Sequence, residues 1–215
     1  MEPTTNYKDA SRLTQLLKYM LILYAFIQIV AAWSSHAEYN LLKEIESGAY
    51  ITESQAESND NRQQMIGFIQ MGYLVLTGIV FLKWIYRANY NARSLGATGL
   101  KFTPGWSVGY YFIPIVNLWR PYQAMKEIWK ASLSPKVWED APVSEIVSFW
   151  WGLWIVSSLL GQASFRLSMR AENISQALNS SLLTLASDII DIPLAIVAYF
   201  MVDKIYNMQK SHLGT

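Results

Sequence analysis

Cysteine is absent from this chain of 215 residues, and histidine occurs only as His36 and His212. Without thiols, the chain cannot form disulfides, thiolate metal sites or a reactive cysteine nucleophile. Charged residues are also scarce, at 15% of the chain, and the net charge of +1 is too small for a nucleic-acid surface. We therefore expect no bound nucleic acid, and the two isolated imidazoles predict no metal site.

The sequence also lacks the common motifs of nucleotide-binding proteins and hydrolases. None of the patterns GxxxxGK[ST], GxGxxG after a strand, HExxH or GxSxG occurs. We therefore predict no cofactor. An enzyme that uses Asp, Arg, Asn and Tyr side chains is not excluded, but a non-enzymatic protein is favoured.

The chain instead contains long apolar runs, and 52% of its residues are hydrophobic. About 20 apolar residues cross the hydrocarbon core of a bilayer, which is roughly 30 Å thick. Four runs qualify as spans, at residues 13–33, 65–86, 146–165 and 182–201. The first run could be a cleaved signal peptide, but its length favours a retained span. The sequence therefore predicts a single all-α integral membrane domain over residues 1–215.

The charges between the runs predict how the chain is oriented. Residues 34–64 contain six acids and two bases, and we interpret them as an outer acidic loop. This loop would hold a short helix that ends at Gly48, followed by a mobile linker over residues 53–64. From Lys83 to Lys136 there are eight basic residues and one acid, Glu127. The positive-inside rule therefore puts this segment and both termini in the cytoplasm.

Residues 87–145 contain an apolar part, 102–119, that is interrupted by prolines and glycines. Prolines in a span leave backbone groups unpaired in lipid, so we favour a re-entrant or interfacial hairpin over a true span. Pro121 then predicts the start of an amphipathic helix on the membrane surface. Its apolar face is predicted to contain Tyr122, Met125, Ile128 and Trp129. Its polar face is predicted to contain Lys126, Glu127 and Lys130.

Two acids in the last span are candidates for function. Asp188 and Asp191 lie three residues apart, so they share a helix face inside the membrane, where an acid is costly unless it is protonated, paired or wet. Three interpretations stay open. Asp188 could lie in water at the end of the span, the pair could form a buried ion pair with Arg166, or it could carry a proton or a cation.

A second candidate site lies on the cytoplasmic side. Arg87 and Asn91 follow the second span on one helix face, with Gly96 as the expected end of that helix. Together with Arg93, Asn117 and Arg120 they could bind the phosphate of a lipid head group or another anion, because guanidinium groups bind phosphate with two parallel hydrogen bonds. Ordinary contact between positive-inside charges and bulk anionic lipid is the alternative.

The basic segment also carries an ordered motif, PGW followed by NLWRP. With its flanking residues it resembles a bacterial membrane-protein family known as domain of unknown function 4328. The residues that carry the resemblance are Trp84, Arg87, Asn91, Gly96, Pro104, Gly105, Trp106, Gly109, Pro114, Asn117, Trp119, Arg120, Pro121, Trp129, Ala131, Ser132, Trp150, Trp151 and Trp154. The resemblance implies a multi-pass protein of the bacterial cytoplasmic membrane. It implies no activity and no catalytic residues.

Three hypotheses for function follow. The preferred one is a non-enzymatic module that binds a lipid head group or a partner protein through the cytoplasmic hairpin. The second is a small proton or cation transporter or channel subunit that uses Asp188 and Asp191. The weakest is an interfacial lipid-modifying enzyme that uses Arg87, Asn91, Asn117 and Arg120. Membrane lipids are the expected partners, and a membrane-protein partner or a homo-oligomer is compatible with the sequence.

Overall fold

The computed structural model describes residues 6–214, and within that range all regular structure is helical. The described residues form six α-helices: α1 (Ser11–Glu46), α2 (Glu53–Ser94), α3 (Pro104–Gly109), α4 (Arg120–Leu133), α5 (Glu145–Ser168) and α6 (Ile174–Ser211). Three 3-10 turns lie at Tyr110–Phe112, Val116–Leu118 and Pro135–Asp140. The all-α prediction is therefore confirmed.

Four of these helices, α1, α2, α5 and α6, are long and apolar enough to cross a membrane. Each contains one of the four predicted spans and extends beyond it. The predicted glycine stops are confirmed for α1 and α2. Gly48 and Gly96 have φ angles of 89° and 104°, the left-handed conformation that only glycine adopts without strain at a helix end.

Residues 34–64, predicted as a loop, are mostly helical. Residues 34–46 continue α1, so the predicted short helix is the last part of a long one. Residues 53–64, predicted as a mobile linker, form the first turns of α2. Thr52 and Gln55 stabilise that helix start as a capping box, in which each side chain bonds the backbone N–H of the other residue. This linker prediction was wrong. Capping and intrahelical hydrogen bonds keep this polar sequence helical although it has little apolar surface.

The described residues form two compact units. The first unit contains residues up to Leu21, Leu76–Trp151 and those from Val197 onward. The second contains Ile22–Val75 and Gly152–Ile196. Each unit is described below by itself.

The first unit has a core of small and aromatic side chains. Ala92, Ala97, Leu100 and Ala131 pack into one cluster, against which Trp138 lies half-buried. Trp84 is 1% exposed, and its indole N–H donates to the Thr14 hydroxyl at 3.1 Å. Lys18 and Asp203 form an ion pair between α1 and α6. The first unit therefore combines apolar packing with specific polar contacts between its helices.

Helix α4 belongs to this unit and begins at Arg120, next to Pro121, as predicted within one residue. Its Met125, Ile128 and Trp129 are buried. The apolar face that the sequence assigned to the membrane surface is therefore covered by protein. Glu127, which was predicted to point away from that face, is also buried, at 5% exposed. The assignment of Glu127 was wrong, because its carboxylate accepts hydrogen bonds from a neighbouring loop.

Candidate functional site

The loop before α3 is held by polar side chains from α2 and α4. The Glu127 carboxylate accepts from the backbone N–H groups of Lys101 and Phe102, at 2.8 and 2.9 Å. On the other side of the same loop, the Phe102 carbonyl accepts from Asn89 and Arg93, both at 2.9 Å. Burial raises the pKa of Glu127, and the two N–H donors oppose that shift. These contacts fix the backbone from which residues 103–119 begin.

After this loop, five large apolar side chains are exposed, and together with Arg120 we call them the aromatic surface. Its apolar members are Trp106, Phe112, Ile115, Leu118 and Trp119, which are 42 to 72% exposed. The segment is nevertheless ordered by local contacts. Thr103 caps α3 by accepting from the Trp106 N–H, and the Leu118 carbonyl accepts from the indole N–H of Trp151. The exposed apolar side chains therefore lie on a segment that hydrogen bonds hold in place.

The backbone at the centre of this surface is strained. Ile115 has a φ of 67° and a ψ of −52°, and the Val116 N–H donates to the Pro114 carbonyl at 2.7 Å. This is a three-residue γ-turn of the rare type, and a β-branched residue in it is an outlier. Such strain persists only where the surroundings impose it, and it is concentrated at functional sites. Here the strained residue presents an apolar side chain that is 70% exposed.

Arg120 lies beside the aromatic rings of this segment. Its guanidinium carbon is 5.8 Å from the ring centroids of both Phe102 and Tyr110. Tyr110 in turn packs on Trp106, with ring centroids 5.1 Å apart. Among residues 6–214, the Arg120 side chain donates one hydrogen bond, to Gln123 at 3.3 Å. Arg120 is therefore exposed and placed by ring contacts, with most of its donors unused.

The other predicted anion-binding residues have different positions. Asn91 is fully buried, and its amide group bonds both the N–H and the carbonyl of Lys8. Arg93 donates to Asn89 and to the carbonyls of Leu100 and Phe102. These bonds hold backbone segments in place, and they leave Asn91 out of reach of any substrate or lipid.

Arg87 and Asn117 complete that predicted set. Arg87 is half-buried and donates to the Asp9 carbonyl. Asn117 is half-buried in the 3-10 turn Val116–Leu118. Of the five predicted residues, Arg120 is the one that the structure leaves exposed.

In the second unit, Asp188 and Asp191 are the centre of a hydrogen-bonded network, here called the carboxylate network. Asp188 accepts from the Ser35 hydroxyl at 2.7 Å and from the Gln70 amide at 2.9 Å. Asp191 accepts from the Tyr24 hydroxyl at 3.2 Å, from the Gln28 amide at 3.0 Å and from the Ser157 hydroxyl. A bond of 2.6 Å between Gln70 and Gln28 joins the two halves.

The network draws side chains from all four span-capable helices, and every donor in it is neutral. Asp188 is 5% exposed, so the interpretation of a wet residue at the end of the span is wrong. Arg166 is exposed and forms no ion pair with Asp188 among residues 6–214, so the structure does not bring the proposed ion pair together. A buried carboxylate without a cation is costly unless it is well hydrogen-bonded, protonated or bound to an ion.

The neutral donors of this network were missed by the sequence analysis. Tyr24, Gln28 and Ser35 lie at helical spacing on α1, and Gln70 is a polar residue within an apolar run of α2. Polar residues that interrupt a span at such spacing could have indicated a shared face. Their partners on other helices could not be read from spacing within one helix.

Four helices that are long and apolar enough to cross a membrane indicate a multi-pass membrane protein of the helical class. The model of the family described as domain of unknown function (DUF4328) matches residues 47–207, which is most of the chain. The protein therefore belongs to this family. No curated protein and no solved structure matches the chain.

Proposed function

We propose that the protein is a multi-pass protein of the bacterial cytoplasmic membrane, with both termini in the cytoplasm. The eight basic residues between Lys83 and Lys136 support this orientation through the positive-inside rule. Residues 102–119 then form a re-entrant or interfacial element between the second and third spans. Helix α4 lies next to this element at the cytoplasmic boundary, with its buried apolar face against protein.

Within that arrangement, the protein acts as a non-catalytic module that binds membrane lipids or a partner membrane protein through the aromatic surface. The observation that carries this function is the exposure of five large apolar side chains on a segment with a fixed backbone. Exposed apolar patches of ordered proteins mark interaction sites, and Trp side chains favour the lipid head-group region. The strained γ-turn at Ile115 supports the same conclusion.

The orientation can be tested by labelling with a membrane-impermeant maleimide, because the chain has no native cysteine. Suitable exposed positions are Ser58, Lys101, Lys136 and Ser211. In intact spheroplasts, Ser58→Cys should be labelled, and the other three single-cysteine variants should be labelled only after lysis. Labelling of Lys136→Cys before lysis would mean that residues 102–119 cross the membrane and that this topology is wrong.

The depth of the aromatic surface tests the function. A spin label on Ile115→Cys in lipid nanodiscs should be relaxed by oxygen and shielded from a water-soluble nickel chelate. The matched control is Lys136→Cys, which lies in the same unit and should show the reverse pattern. Equal exposure of both labels to the nickel chelate would contradict the proposed lipid-binding function.

A second candidate function rests on the carboxylate network. Two carboxylates held by neutral donors carry up to two negative charges, which a proton or a monovalent cation can reduce. In this alternative, the protein takes up a proton or a cation in the membrane through Asp188 and Asp191. The support is the absence of any cationic side chain among the donors to these two residues in the described chain.

Ion flux into vesicles tests this alternative. Asp191→Asn should abolish a proton or cation flux that the unchanged protein shows after reconstitution. Asp60→Asn is the control, because Asp60 is an exposed acid of the same unit. Full flux in Asp191→Asn, or no flux with the unchanged protein, would count against a transport role.

A further inference from the structure

One basic side chain of the aromatic surface is free to bind an anion. Arg120 is exposed, whereas Asn91 and Arg93 of the originally predicted set are bonded to backbone groups. A guanidinium group has five N–H donors, and within the described part of the chain Arg120 uses one of them, in a bond of 3.3 Å to Gln123. Enough donors remain for the two parallel hydrogen bonds by which arginine binds a phosphate group.

The rings around Arg120 restrict where its guanidinium can lie. Phe102 is buried, and its backbone N–H is held by Glu127, so the ring is a fixed support. Tyr110 is the second support and packs against Trp106. A cation near the faces of aromatic rings keeps the hydrogen-bond donors in its own plane free. Because the group is placed before binding, less conformational entropy is lost when it meets a ligand.

Local charge also favours an anion. From Lys83 to Lys136, Glu127 is the only acid, and both of its oxygens accept backbone N–H groups. No acidic side chain bonds Arg120 in the described chain. A negatively charged ligand would therefore not have to displace a carboxylate from the Arg120 guanidinium.

The apolar neighbours of Arg120 indicate where such an anion comes from. Leu118 and Trp119 directly precede it and are both exposed. A soluble anion would need no apolar surroundings, whereas a phospholipid presents a phosphate directly above apolar chains. Trp and Arg together suit this boundary, because one side chain is amphipathic and the other is charged.

We propose that the aromatic surface binds the phosphate of an anionic phospholipid through Arg120, with its apolar side chains at the head-group boundary of the same leaflet. This inference rests on the lipid-binding function proposed above, and it names the ligand. The partner-protein form of that function is the competing outcome.

The test measures lipid retention by native mass spectrometry after the protein is released from mixed vesicles of phosphatidylglycerol and phosphatidylcholine. The unchanged protein should retain phosphatidylglycerol about tenfold over phosphatidylcholine, because both head groups carry a phosphate but the choline ammonium of phosphatidylcholine neutralises its negative charge. Arg120→Gln should lose that preference. Arg120→Lys should keep part of it, because an ammonium group retains the charge without the two-bond geometry.

Lys136→Gln is the matched control, because it removes an exposed positive charge from the same unit and should leave the preference unchanged. Equal loss in Arg120→Gln and Lys136→Gln would overturn a specific site in favour of general charge. Full displacement of the lipid by inorganic phosphate would overturn a lipid source. Retention of a protein partner that is lost in Arg120→Gln, with no lipid preference, would overturn the lipid as ligand.

The Ile115→Cys depth measurement separates the two proposals. A label at lipid depth without any lipid preference would reject the Arg120 site and leave the binding function standing. A label in water would reject the lipid-binding function and the Arg120 site with it.

Discussion

Buried and half-buried polar side chains have different hydrogen-bond partners in the two units. In the first unit, Asn89, Arg93 and Glu127 bond the backbone of a loop. In the second unit, Gln28, Gln70 and Asp188 bond other side chains across helices. Bonds to backbone hold an irregular segment in one conformation, because each satisfies a group that has no helical partner. Bonds between side chains are not needed for the backbone hydrogen bonds of the helices. The carboxylates can therefore change their charge or their partner while the helices stay intact.

The largest effect that this comparison predicts is at Glu127. In Glu127→Gln, one of the two backbone N–H groups faces an amide NH2 and loses its acceptor. A buried unsatisfied donor of this kind costs about 2 kcal/mol. We expect the free energy of opening of the loop to fall by that amount, measured as faster hydrogen exchange at the amides of Lys101 and Phe102.

Glu139→Gln is the control for this change, because Glu139 is exposed in the same unit. Its substitution should leave exchange at Lys101 and Phe102 unaltered. Unaltered exchange in Glu127→Gln as well would show that the carboxylate does not hold the loop.

The next effect is a pH dependence of the same loop. Because burial raises the pKa of Glu127, the folded loop binds a proton more tightly than an unfolded glutamate, whose pKa is about 4.3. Loop stability should therefore be greatest below that value and should decline as the pH rises through the folded pKa. Exchange at Phe102, corrected for its intrinsic pH dependence, should show this decline. It should be flat in Glu127→Gln, and a rise in stability with pH would contradict the assignment.

A smaller effect is expected from the side-chain bonds of the carboxylate network. Asp188→Asn keeps an oxygen for the Ser35 hydroxyl but presents an NH2 group to Gln70. Hydrogen bonds between membrane helices average about 0.6 kcal/mol, so the loss of unfolding free energy should be of that size. Unfolding in mixed detergent micelles measures it, with Asp60→Asn as the reference. A loss as large as that in Glu127→Gln would remove the contrast between the two units.

The smallest effect on stability is predicted at Arg120. Its side chain is exposed and makes one long hydrogen bond with the residues that the structure describes, so Arg120→Gln should change the unfolding free energy by less than about 0.5 kcal/mol. The same micelle unfolding measurement checks this. A larger loss would assign Arg120 a structural role, and its lipid preference could then not be separated from folding.

Much of the helical architecture could be predicted from local sequence. The four apolar runs lie in α1, α2, α5 and α6, and Gly48 and Gly96 end their helices as expected. The linker prediction at 53–64 failed because composition was weighed above the capping pair Thr52 and Gln55. That pair was a local signal, and a search for capping boxes could have found it.

The candidate sites were less predictable. Asp188 and Asp191 are unusual because acids are rare in spans, but Arg166, one of the possible partners of Asp188, is exposed. The actual partners come from three other helices, and no spacing within one helix indicates them. The charge of Glu127 likewise predicts a place on the polar face of α4, because nothing local indicates the loop N–H groups of Lys101 and Phe102 from which its carboxylate accepts hydrogen bonds.

The sequence by itself determined that this is a helical membrane protein of a recognisable family, because apolar runs and motif residues are local properties of the chain. Only the tertiary structure decided which polar groups meet. It turned Asn91 and Arg93 inward, left Arg120 exposed beside two rings, and surrounded Asp188 and Asp191 with neutral donors. The reason is physical: burial in lipid depends on hydrophobicity along the chain, whereas a hydrogen bond depends on the positions of two atoms from distant parts of it.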